Sequence, residues 1–228
     1  SAAADILTNI RDERVAVVSA TSGTTDALIA LGERALADSS WEQALRALID
    51  RHQKIVEDLG LDLDLGEFWE EVRNLLNGVS LISELSLSAK DRLLSFGERV
   101  SSTILAALLE KRGVSARAVD AHGFIYTDNN FGEGNVSFKK TDPAILETLQ
   151  PLLQSGTIPV VTGFIAQAEN GRYITLGRGG SDYTAAILAA ALDARELQIW
   201  TDVDGIYNAD PRLVPEANVL PQLSFYEA

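Results

Sequence analysis

Two polar loops, 177–182 and 201–212, contain residue types that could bind a phosphorylated ligand. The first reads Gly-Arg-Gly-Gly-Ser-Asp, in which the glycines permit close backbone approach and the arginine can pair with an anion. Ser181 and Asp182 are good N-cap residues for the helix-forming run that follows, and a helix start offers free N–H groups to an anion. A plain capped turn explains these residues equally well, because short glycine motifs often occur by chance.

The second loop follows the apolar run 197–200, which predicts a short buried strand. Its aspartates and glycine are typical of a calcium loop, but Leu213 stands where an EF-hand requires its final glutamate. A nucleotide site fits better, since backbone groups, an aromatic side chain and an arginine are presented at a strand end. Residues 175–212 therefore predict a right-handed strand–helix–strand unit with a loop after each strand.

A hydroxyl-rich loop, 19–26, follows the apolar run 15–18. The run is β-branched and uninterrupted, which is typical of a central parallel strand buried on both faces. Hydroxyl groups at the carboxyl end of such a strand can bind a carboxylate or a phosphate. Serine and threonine are also ordinary loop residues, so the pattern alone is compatible with a ligand-binding loop and with an ordinary loop.

Glu98 lies on a predicted long helix that begins at Ser88 or Lys90 and ends near Arg112. Its neighbour Gly97 costs such a helix about 1 kcal/mol relative to alanine. We therefore expect another backbone or a substrate to approach this helix closely at Gly97. Without further information Glu98 would be a solvated helix residue.

Other stretches predict the elements that must position these residues. Residues 114–120 alternate loosely and predict a strand, the apolar run 158–161 predicts a buried strand, and residues 168–175 predict a hairpin. Between 41 and about 77, apolar residues at helical spacing predict two helices joined by an acidic turn, which we interpret as packing. His52 on this insert is better explained as a helix-surface or core residue than as a ligand.

Composition narrows the function classes. A length of 228 residues suffices for one large α/β domain, 1–228, and the net charge of −14 argues against nucleic acid and against an anionic membrane surface as partners. Neither a spanning apolar run nor a signal peptide is visible, so we expect a cytoplasmic protein. The absence of cysteine excludes disulfides and thiol catalysis, and the two histidines are too isolated for a zinc site.

Three segments carry a resemblance to a known family. The loop TDVDGIYNADPR resembles the nucleotide-binding loop of the amino-acid kinase superfamily, while LGRGGSDYTAA and SFGERVSS resemble the narrower patterns of aspartokinases. The resemblance implies a three-layer αβα sandwich with a mainly parallel sheet and a helical insert at about 41–112. It also implies ATP-dependent phosphorylation of the β-carboxylate of L-aspartate to 4-phospho-L-aspartate, the first step towards lysine, threonine and methionine.

The resemblance assigns roles to individual residues. Arg178 would pair with a substrate carboxylate, Asp182 would orient lysines about the transferring phosphoryl group, and Glu98 would receive the α-amino group of aspartate. The remaining substrate-binding residues would be Thr25, Gly163 and Phe164. The residues that bind nucleotide and phosphate would be Ser19, Gly179, Gly180, Ser181, Thr201, Asp202, Tyr207 and Arg212. Mg²⁺ would arrive with ATP, without a direct protein ligand.

The chain also departs from the family pattern. It contains neither the KFGGTS strand nor the FGAKVLHP segment, whose lysines neutralise phosphate charge, and it contains no regulatory ACT domains. We therefore expect this polypeptide by itself to be inactive, and we expect an allosteric parent enzyme that forms homo-oligomers through its ACT domains. Two alternatives stay open: another superfamily enzyme, such as a glutamate 5-kinase or a uridylate kinase, and a non-catalytic nucleotide-binding regulator.

Overall fold

The chain folds into two compact units, Ser1–Glu196 and Leu197–Ala228. The computed structural model describes residues 2–10, 12–37, 40–201, 203, 205–210 and 212–224. Within these ranges, all helices and strands lie in the first unit. A membrane-crossing segment is not found among the described helices, since none combines the length and the apolarity that a bilayer demands.

Three parallel strands form the central sheet of the first unit: β1 (Ala16–Val18), β2 (Ala116–Val119) and β3 (Ile158–Thr162), in the order β1–β3–β2. Val17 lies opposite Val161 in the register of β1 and β3. Every residue of β3 is buried, because strands flank it on both sides and helices cover both faces. The predicted parallel strands are confirmed, but β1, expected at the centre, is an edge strand of this sheet. Apolar runs predict burial and do not predict strand order.

Helices cover both faces of the sheet. α1 (Ala2–Asn9) and α5 (Leu87–Lys111) lie on one face, and α6 (Phe138–Gln154) and α7 (Gly180–Ala191) lie on the other. The core of the first face includes Leu105, Leu109, Ala116 and Val160. The core of the second includes Leu149, Val161, Ile165 and Ile187. Neighbouring residues of β3 enter different cores, as the strand period of two requires. The predicted three-layer αβα sandwich with a mainly parallel sheet is confirmed.

A third core lies among α2 (Thr24–Leu36), α3 (Trp41–Asp58), α4 (Gly66–Ile82) and α5. The two helices predicted after residue 41 are α3 and α4, and the long predicted helix is α5. The apolar residues of this core include Leu28, Leu45, Val72, Leu76 and Leu93. α5 packs against the sheet and against these helices, and it therefore connects α2, α3 and α4 to the sheet. The limits proposed for the insert and the single domain 1–228 stay predictions.

β4 (Ile165–Gln167) and β5 (Tyr173–Thr175) form an antiparallel hairpin. The hairpin predicted at 168–175 thus exists, but its first strand lies before the predicted range. A short 3-10 helix, Ala121–Gly123, packs against β4. Since β5 pairs with its hairpin neighbour, it is not a parallel strand that leads into α7. The strand, turn and helix of the first half of the predicted unit are confirmed, but the parallel pairing expected of its strand is wrong.

The second half of that unit is also wrong. Residues 197–200 form no strand, and Ile199 and Trp200 are 58% and 67% exposed. Their apolar character suggested a buried strand. A strand needs a pairing partner, however, and none of the described residues supplies one to this segment.

Candidate active site

A cavity of about 330 Å³ lies beyond the carboxyl ends of β1 and β3, where α/β folds bind ligands. Its walls come from the loop after β1, the middle of α5, Phe164 between β3 and β4, and the glycine turn that opens α7. The residues that line it are Ser19, Ala20, Thr25, Glu98, Phe164, Gly177, Arg178, Gly179, Gly180, Ser181 and Asp182. The cavity thus brings together most of the residues that the sequence assigned to substrate and phosphate binding.

Gly163 lies behind the cavity wall instead of lining it. A Cβ atom at Gly163 would lie 2.7 Å from the Cβ and 2.9 Å from the Cα of Ser181. Its N–H donates to the carbonyl of Val18 at 2.9 Å. Gly163 therefore lets the end of β3 approach the start of α7, and its influence on a ligand is through shape.

Glu98 is the buried charge of the site. Its side chain is 3% exposed, and Oε1 accepts a hydrogen bond from the N–H of Ala20 at 3.1 Å. Oε2 is buried and has no hydrogen-bond partner among the described residues. Burial raises the pKa of Glu98 to about 7, and the N–H of Ala20 opposes this shift only partly. A buried carboxylate oxygen without a protein partner, on the wall of a cavity, calls for a donor or cation from a ligand.

Gly97 explains how Glu98 reaches the loop. A Cβ atom at Gly97 would lie 2.7 Å from the Cβ of Ala20, too close for an unshifted structure. The glycine therefore allows α5 to pack directly against the loop and brings Glu98 within reach of the Ala20 N–H. The close approach expected at Gly97 is confirmed, and the approaching group is the loop after β1.

A second wall is the turn 177–182. Gly177 and Gly179 have φ values of +78° and +72°, which side chains rarely adopt. Gly179 is the N-cap of α7, and no side chain caps this helix. Ser181 and Asp182 thus lie in the first turn, and their predicted N-cap role is wrong. The reason is that Gly179 takes the left-handed cap conformation itself.

The start of α7 offers backbone donors to the cavity. Among the described residues, no hydrogen bond uses the backbone N–H groups of Ser181 or Asp182. Free N–H groups at a helix start attract anions such as phosphate. The side chains of Arg178 and Asp182 are exposed at this wall. This wall therefore combines fixed donors with one accessible charge of each sign.

Phe164 has a φ of +69°, a left-handed conformation that costs a bulky residue about 1–2 kcal/mol. The hydroxyl of Thr184 holds it, because Oγ1 accepts from the N–H of Phe164 at 3.1 Å and donates to the carbonyl of Gly180 at 2.9 Å. A Cβ atom at Gly180 would lie 2.7 Å from Cδ2 of Phe164. The backbone at the end of β3 and the start of α7 are thus held as one assembly.

Asp91 is a site-supporting residue that sequence reasoning missed. Its buried carboxylate accepts from the N–H of Gly132 at 2.8 Å, and from the N–H and hydroxyl of Thr175 at 3.1 and 3.0 Å. Burial raises its pKa, while these hydrogen bonds lower it. Asp91 fixes the end of β5 just before Gly177. In the sequence it looks like any acidic helix residue.

The second unit contains the other predicted nucleotide residues. Tyr207 forms an antiparallel bridge with Val219, and the N–H of Arg212 donates to Oδ1 of Asp210 at 2.9 Å. Thr201 and the side chain of Arg212 are exposed. Asp202 lies outside the described residues. The nucleotide-binding role of these four residues stays a prediction.

Comparison with known proteins agrees with this geometry. The model of the amino acid kinase family matches residues 1–228. The chain belongs to the amino acid kinase family. Within this family, it is 38% identical over 232 residues to chloroplastic aspartokinase 1 of Arabidopsis thaliana, covering 98% of this chain and 40% of that protein. It is 35% identical over 230 residues to lysine-sensitive aspartokinase 3 of Escherichia coli K12, covering 99% of this chain and 50% of that protein.

A solved structure supports the same assignment to the amino acid kinase family. The fold matches the crystal structure of E. coli aspartokinase III in complex with aspartate and ADP (R-state) with a TM-score of 0.85 and 33% sequence identity. The match covers 95% of this chain and 48% of that chain. The chain thus spans about half or less of the length of these relatives.

Proposed function

We propose that this chain forms the amino-acid and phosphoryl part of an aspartate kinase active site. The reaction would convert ATP and L-aspartate to ADP and 4-phospho-L-aspartate. Membership of the amino acid kinase family and similarity to aspartokinases support this function, as does a solved relative that holds aspartate and ADP. The observation that carries the proposal is the partnerless carboxylate oxygen of Glu98 on the cavity wall.

Glu98 and Arg178 are complementary to an amino acid with an extra carboxylate. The ammonium group would bind Oε2 of Glu98, which offsets the cost of burying both charges. An ammonium at this position favours the ionised form of Glu98, although its pKa in the protein alone is about 7. The guanidinium of Arg178 would bind a substrate carboxylate through two parallel hydrogen bonds. Uridylate has no ammonium group for Glu98, so this pair favours an amino acid.

Three other residues would shape the amino-acid subsite. The hydroxyl of Thr25 lines the cavity on the same wall as Glu98 and can donate to a carboxylate. The ring of Phe164 forms an apolar wall, and Gly163 keeps this wall close to Ser181. Because Phe164 is held in a left-handed conformation, its position is fixed before the substrate arrives. Such pre-organisation limits the conformational entropy that binding must remove.

The β-carboxylate of aspartate is already ionised at neutral pH, so the reaction needs no general base. One of its oxygens would attack the γ-phosphorus of ATP in line, and the bond from that phosphorus to the bridging oxygen would break. The electron pair of that bond leaves with ADP. The protein therefore contributes alignment and charge stabilisation, as in phosphoryl transfer generally.

The turn 177–182 would face the transferring phosphoryl group. The N–H groups at the start of α7 can donate to its oxygens, and Ser181 can add a hydroxyl. Ser19 on the other wall can donate to the phosphates of ATP. Asp182 would orient the basic groups that neutralise the developing charge. Each of these residues lines the cavity.

Mg²⁺ would enter with ATP. Within the described residues, no group of three or more histidine, aspartate or glutamate side chains is arranged to hold a metal ion. Mg²⁺ commonly binds through substrate phosphates and retained waters, and the donor-rich lining 177–182 fits phosphates that already carry their cation. When bound, the ion screens the negative charge of the phosphates.

The remaining expectations belong to the same proposal. Thr201, Asp202, Tyr207 and Arg212 would bind the nucleotide. Homo-oligomerisation, allosteric control, a cytoplasmic location and a place in lysine and threonine biosynthesis are expected of the whole protein. None of these expectations follows from the residues that line the cavity, and all of them stay predictions.

The test is a substrate panel with the complete gene product that contains this chain. L-Aspartate, L-glutamate and UMP are each incubated with ATP and Mg²⁺, and ADP release is measured in a coupled assay. Trapping with hydroxylamine identifies an acyl phosphate. We expect aspartate-dependent ADP and hydroxamate. Turnover with only glutamate or UMP would overturn the substrate assignment, and nucleotide binding without turnover on any substrate would favour a regulatory protein.

A further inference from the structure

Residues 19–25, which are the loop after β1 and the first two residues of α2, have hydroxyl groups on two sides. Ser19 and Thr25 line the cavity, whereas Thr21 and Thr24 contact His52 of α3. His52 is completely buried, which confirms that it is a core residue. The hydroxyls that face the cavity and those that face α3 therefore belong to one short segment, 19–25.

The hydrogen bonds of His52 define its tautomer. Nδ1 lies 2.9 Å from the carbonyl of Leu48, which can only accept, so Nδ1 carries the proton. Burial is the largest cause that lowers the pKa of His52, and the ring is therefore neutral at pH 7. Nε2 is left as an acceptor. It lies 3.1 Å from the hydroxyl of Thr21, which must be the donor.

Thr24 extends this bond into a chain. Its hydroxyl is 2.7 Å from that of Thr21 and accepts from a guanidinium N–H of Arg51 at 2.6 Å. Protons can then point consistently from Arg51 to Thr24, to Thr21, to His52 and to the carbonyl of Leu48. Each of the two hydroxyls can then both donate and accept a hydrogen bond.

The loop is therefore held from two directions. On one side, α3 holds Thr21 and Thr24; on the other, α5 packs Gly97 against Ala20 and accepts the Ala20 N–H at Glu98. The N–H of Thr24 also donates to the carbonyl of Thr21 at 2.9 Å, which closes the turn. The same short backbone thus presents Ser19 and Thr25 to the cavity and Thr21 and Thr24 to α3.

We propose that His52 is a positioning residue of the amino-acid subsite, acting through Thr21 and Thr24 on the loop that presents Ser19 and Thr25. This inference rests on the proposed function, since it assumes that the cavity binds aspartate. The insert formed by α3 and α4 then does more than pack, because it sets the geometry of one cavity wall. His52 does not contact the substrate.

The first experiment compares His52→Leu, His52→Gln and Val56→Ala in the complete gene product. Leucine removes the Nε2 acceptor, whereas a glutamine amide can still accept from Thr21. Val56 is a matched control, because it is 2% exposed on the same helix and its side chain packs in the apolar core. We expect His52→Leu to raise the KM for aspartate about tenfold and the KM for ATP less than about twofold. His52→Gln should recover most of this loss, and Val56→Ala should lower Tm without changing the KM for aspartate.

A second pair of variants covers the case in which His52→Leu does not fold. Thr21→Val removes the hydroxyl at nearly constant volume from a partly exposed loop residue, and Thr21→Ser retains the hydroxyl. Only the valine variant should raise the KM for aspartate. An unchanged KM for aspartate in folded His52→Leu or Thr21→Val would overturn the positioning role.

Hydrogen exchange separates failure of this inference from failure of the proposed function. If the proposed function is wrong, the wild-type protein shows no aspartate-dependent turnover. This result counts against the proposed function and leaves the positioning role of His52 to be tested separately. Amide exchange of residues 19–25 in the unliganded protein still tests the positioning role. Exchange should be faster in His52→Leu than in Val56→Ala, and equal rates in the two variants would overturn the proposal.

Discussion

The two walls of the cavity are built on different physical principles. On the wall formed by the loop after β1 and α5, Glu98 is 3% exposed, and hydrogen bonds with α5 and α3 hold the segment 19–25. On the wall formed by the turn 177–182, Arg178 and Asp182 are exposed, and positive φ values set the backbone. The first wall buries its charge, whereas the second keeps its charges in water.

This difference implies different costs for the two walls. A buried charge without a protein partner destabilises the unliganded fold, and only a ligand of opposite charge offsets this cost. Exposed charges cost the folded state little free energy. They can bind a ligand only if other groups of the protein orient that ligand. Substitution of Glu98 should therefore weaken substrate binding without a loss of stability. Substitution of Arg178 should lower activity without changing stability.

The largest effect is expected for Glu98→Gln. Loss of the carboxylate that faces the ammonium should lower kcat/KM for aspartate by about 100-fold or more, roughly 3 kcal/mol. Tm at pH 8 should stay constant or rise, because a neutral amide avoids the desolvation cost. Steady-state kinetics and thermal melts measure both quantities. Glu57→Gln, at an exposed position of α3, should change neither, and a lower Tm with normal kcat/KM for Glu98→Gln would contradict the ligand-binding role.

Arg178 tests the exposed wall. Arg178→Ala should lower kcat/KM for aspartate by about 30-fold, roughly 2 kcal/mol, and Arg178→Lys should recover little because an ammonium cannot form the two parallel hydrogen bonds. Tm should not change, since the side chain is exposed. Arg172→Ala removes another exposed arginine outside the cavity lining and serves as the control. Full recovery by lysine would mean that charge alone matters at this wall.

The pH dependence of aspartate affinity distinguishes the walls again. With a pKa of about 7, Glu98 changes from mostly neutral at pH 6 to mostly ionised at pH 8. Only the ionised form attracts the ammonium, so the Kd for aspartate should fall about tenfold over this range. Calorimetric titrations at pH 6, 7 and 8 measure it. Glu98→Gln should bind weakly at every pH, and a wild-type Kd independent of pH would contradict an ionised Glu98 partner.

The free energy of unfolding should also depend on the ionisation of Glu98. It should fall as pH rises, whereas the affinity for aspartate should increase. The pKa of Glu98 is raised from 4.5 to about 7 in the fold. The unfolded chain therefore ionises first, and the stability that neutral Glu98 provides is fully present below pH 4.5 and is lost as pH rises through 7. The free energy of unfolding of the wild type relative to Glu98→Gln should fall by about 3 kcal/mol over this window. Urea titrations at pH 5 and 8 check this difference.

Local patterns predicted much of the fold and of the site. The apolar run before Ser19 indicated β1, the glycines of 177–182 indicated a tight turn into α7, and Gly97 indicated a close approach beside Glu98. These signals can be read from the sequence because apolarity and backbone freedom are properties of the single residue. The segment 197–200 shows the limit, since apolar residues there do not form the strand that they favoured.

The supporting residues could not be predicted in this way. Asp91 holds Thr175, Thr184 holds Phe164, and His52 holds Thr21 across long stretches of sequence. Their residue types are compatible with exposed helix faces or plain core positions. The left-handed conformation of Phe164 is equally invisible, because it results from tertiary contacts that override local preference.

The smallest effects are expected from alanine substitutions at two helical glycines. Their comparison tests the packing of the buried wall directly. A Cβ atom at Gly78 of α4 meets nothing within 4 Å, so Gly78→Ala should stabilise the protein by about 1 kcal/mol. Gly97→Ala gains the same helix preference but places its Cβ 2.7 Å from that of Ala20. We expect a net loss of about 1 kcal/mol and a KM for aspartate about threefold higher, because the loop must move.

A compensating substitution decides whether that contact is the cause. Ala20→Gly removes the methyl group that Gly97→Ala would meet and leaves the Ala20 N–H donor to Glu98 in place. The double variant should regain both the stability and the KM for aspartate that Gly97→Ala loses. Urea titrations and kinetics of the two single variants and the double variant form a thermodynamic cycle. A coupling energy near zero would mean that the loop and α5 are not packed tightly at this point, and the contrast between a rigid wall and a glycine-shaped wall would then rest on hydrogen bonds alone.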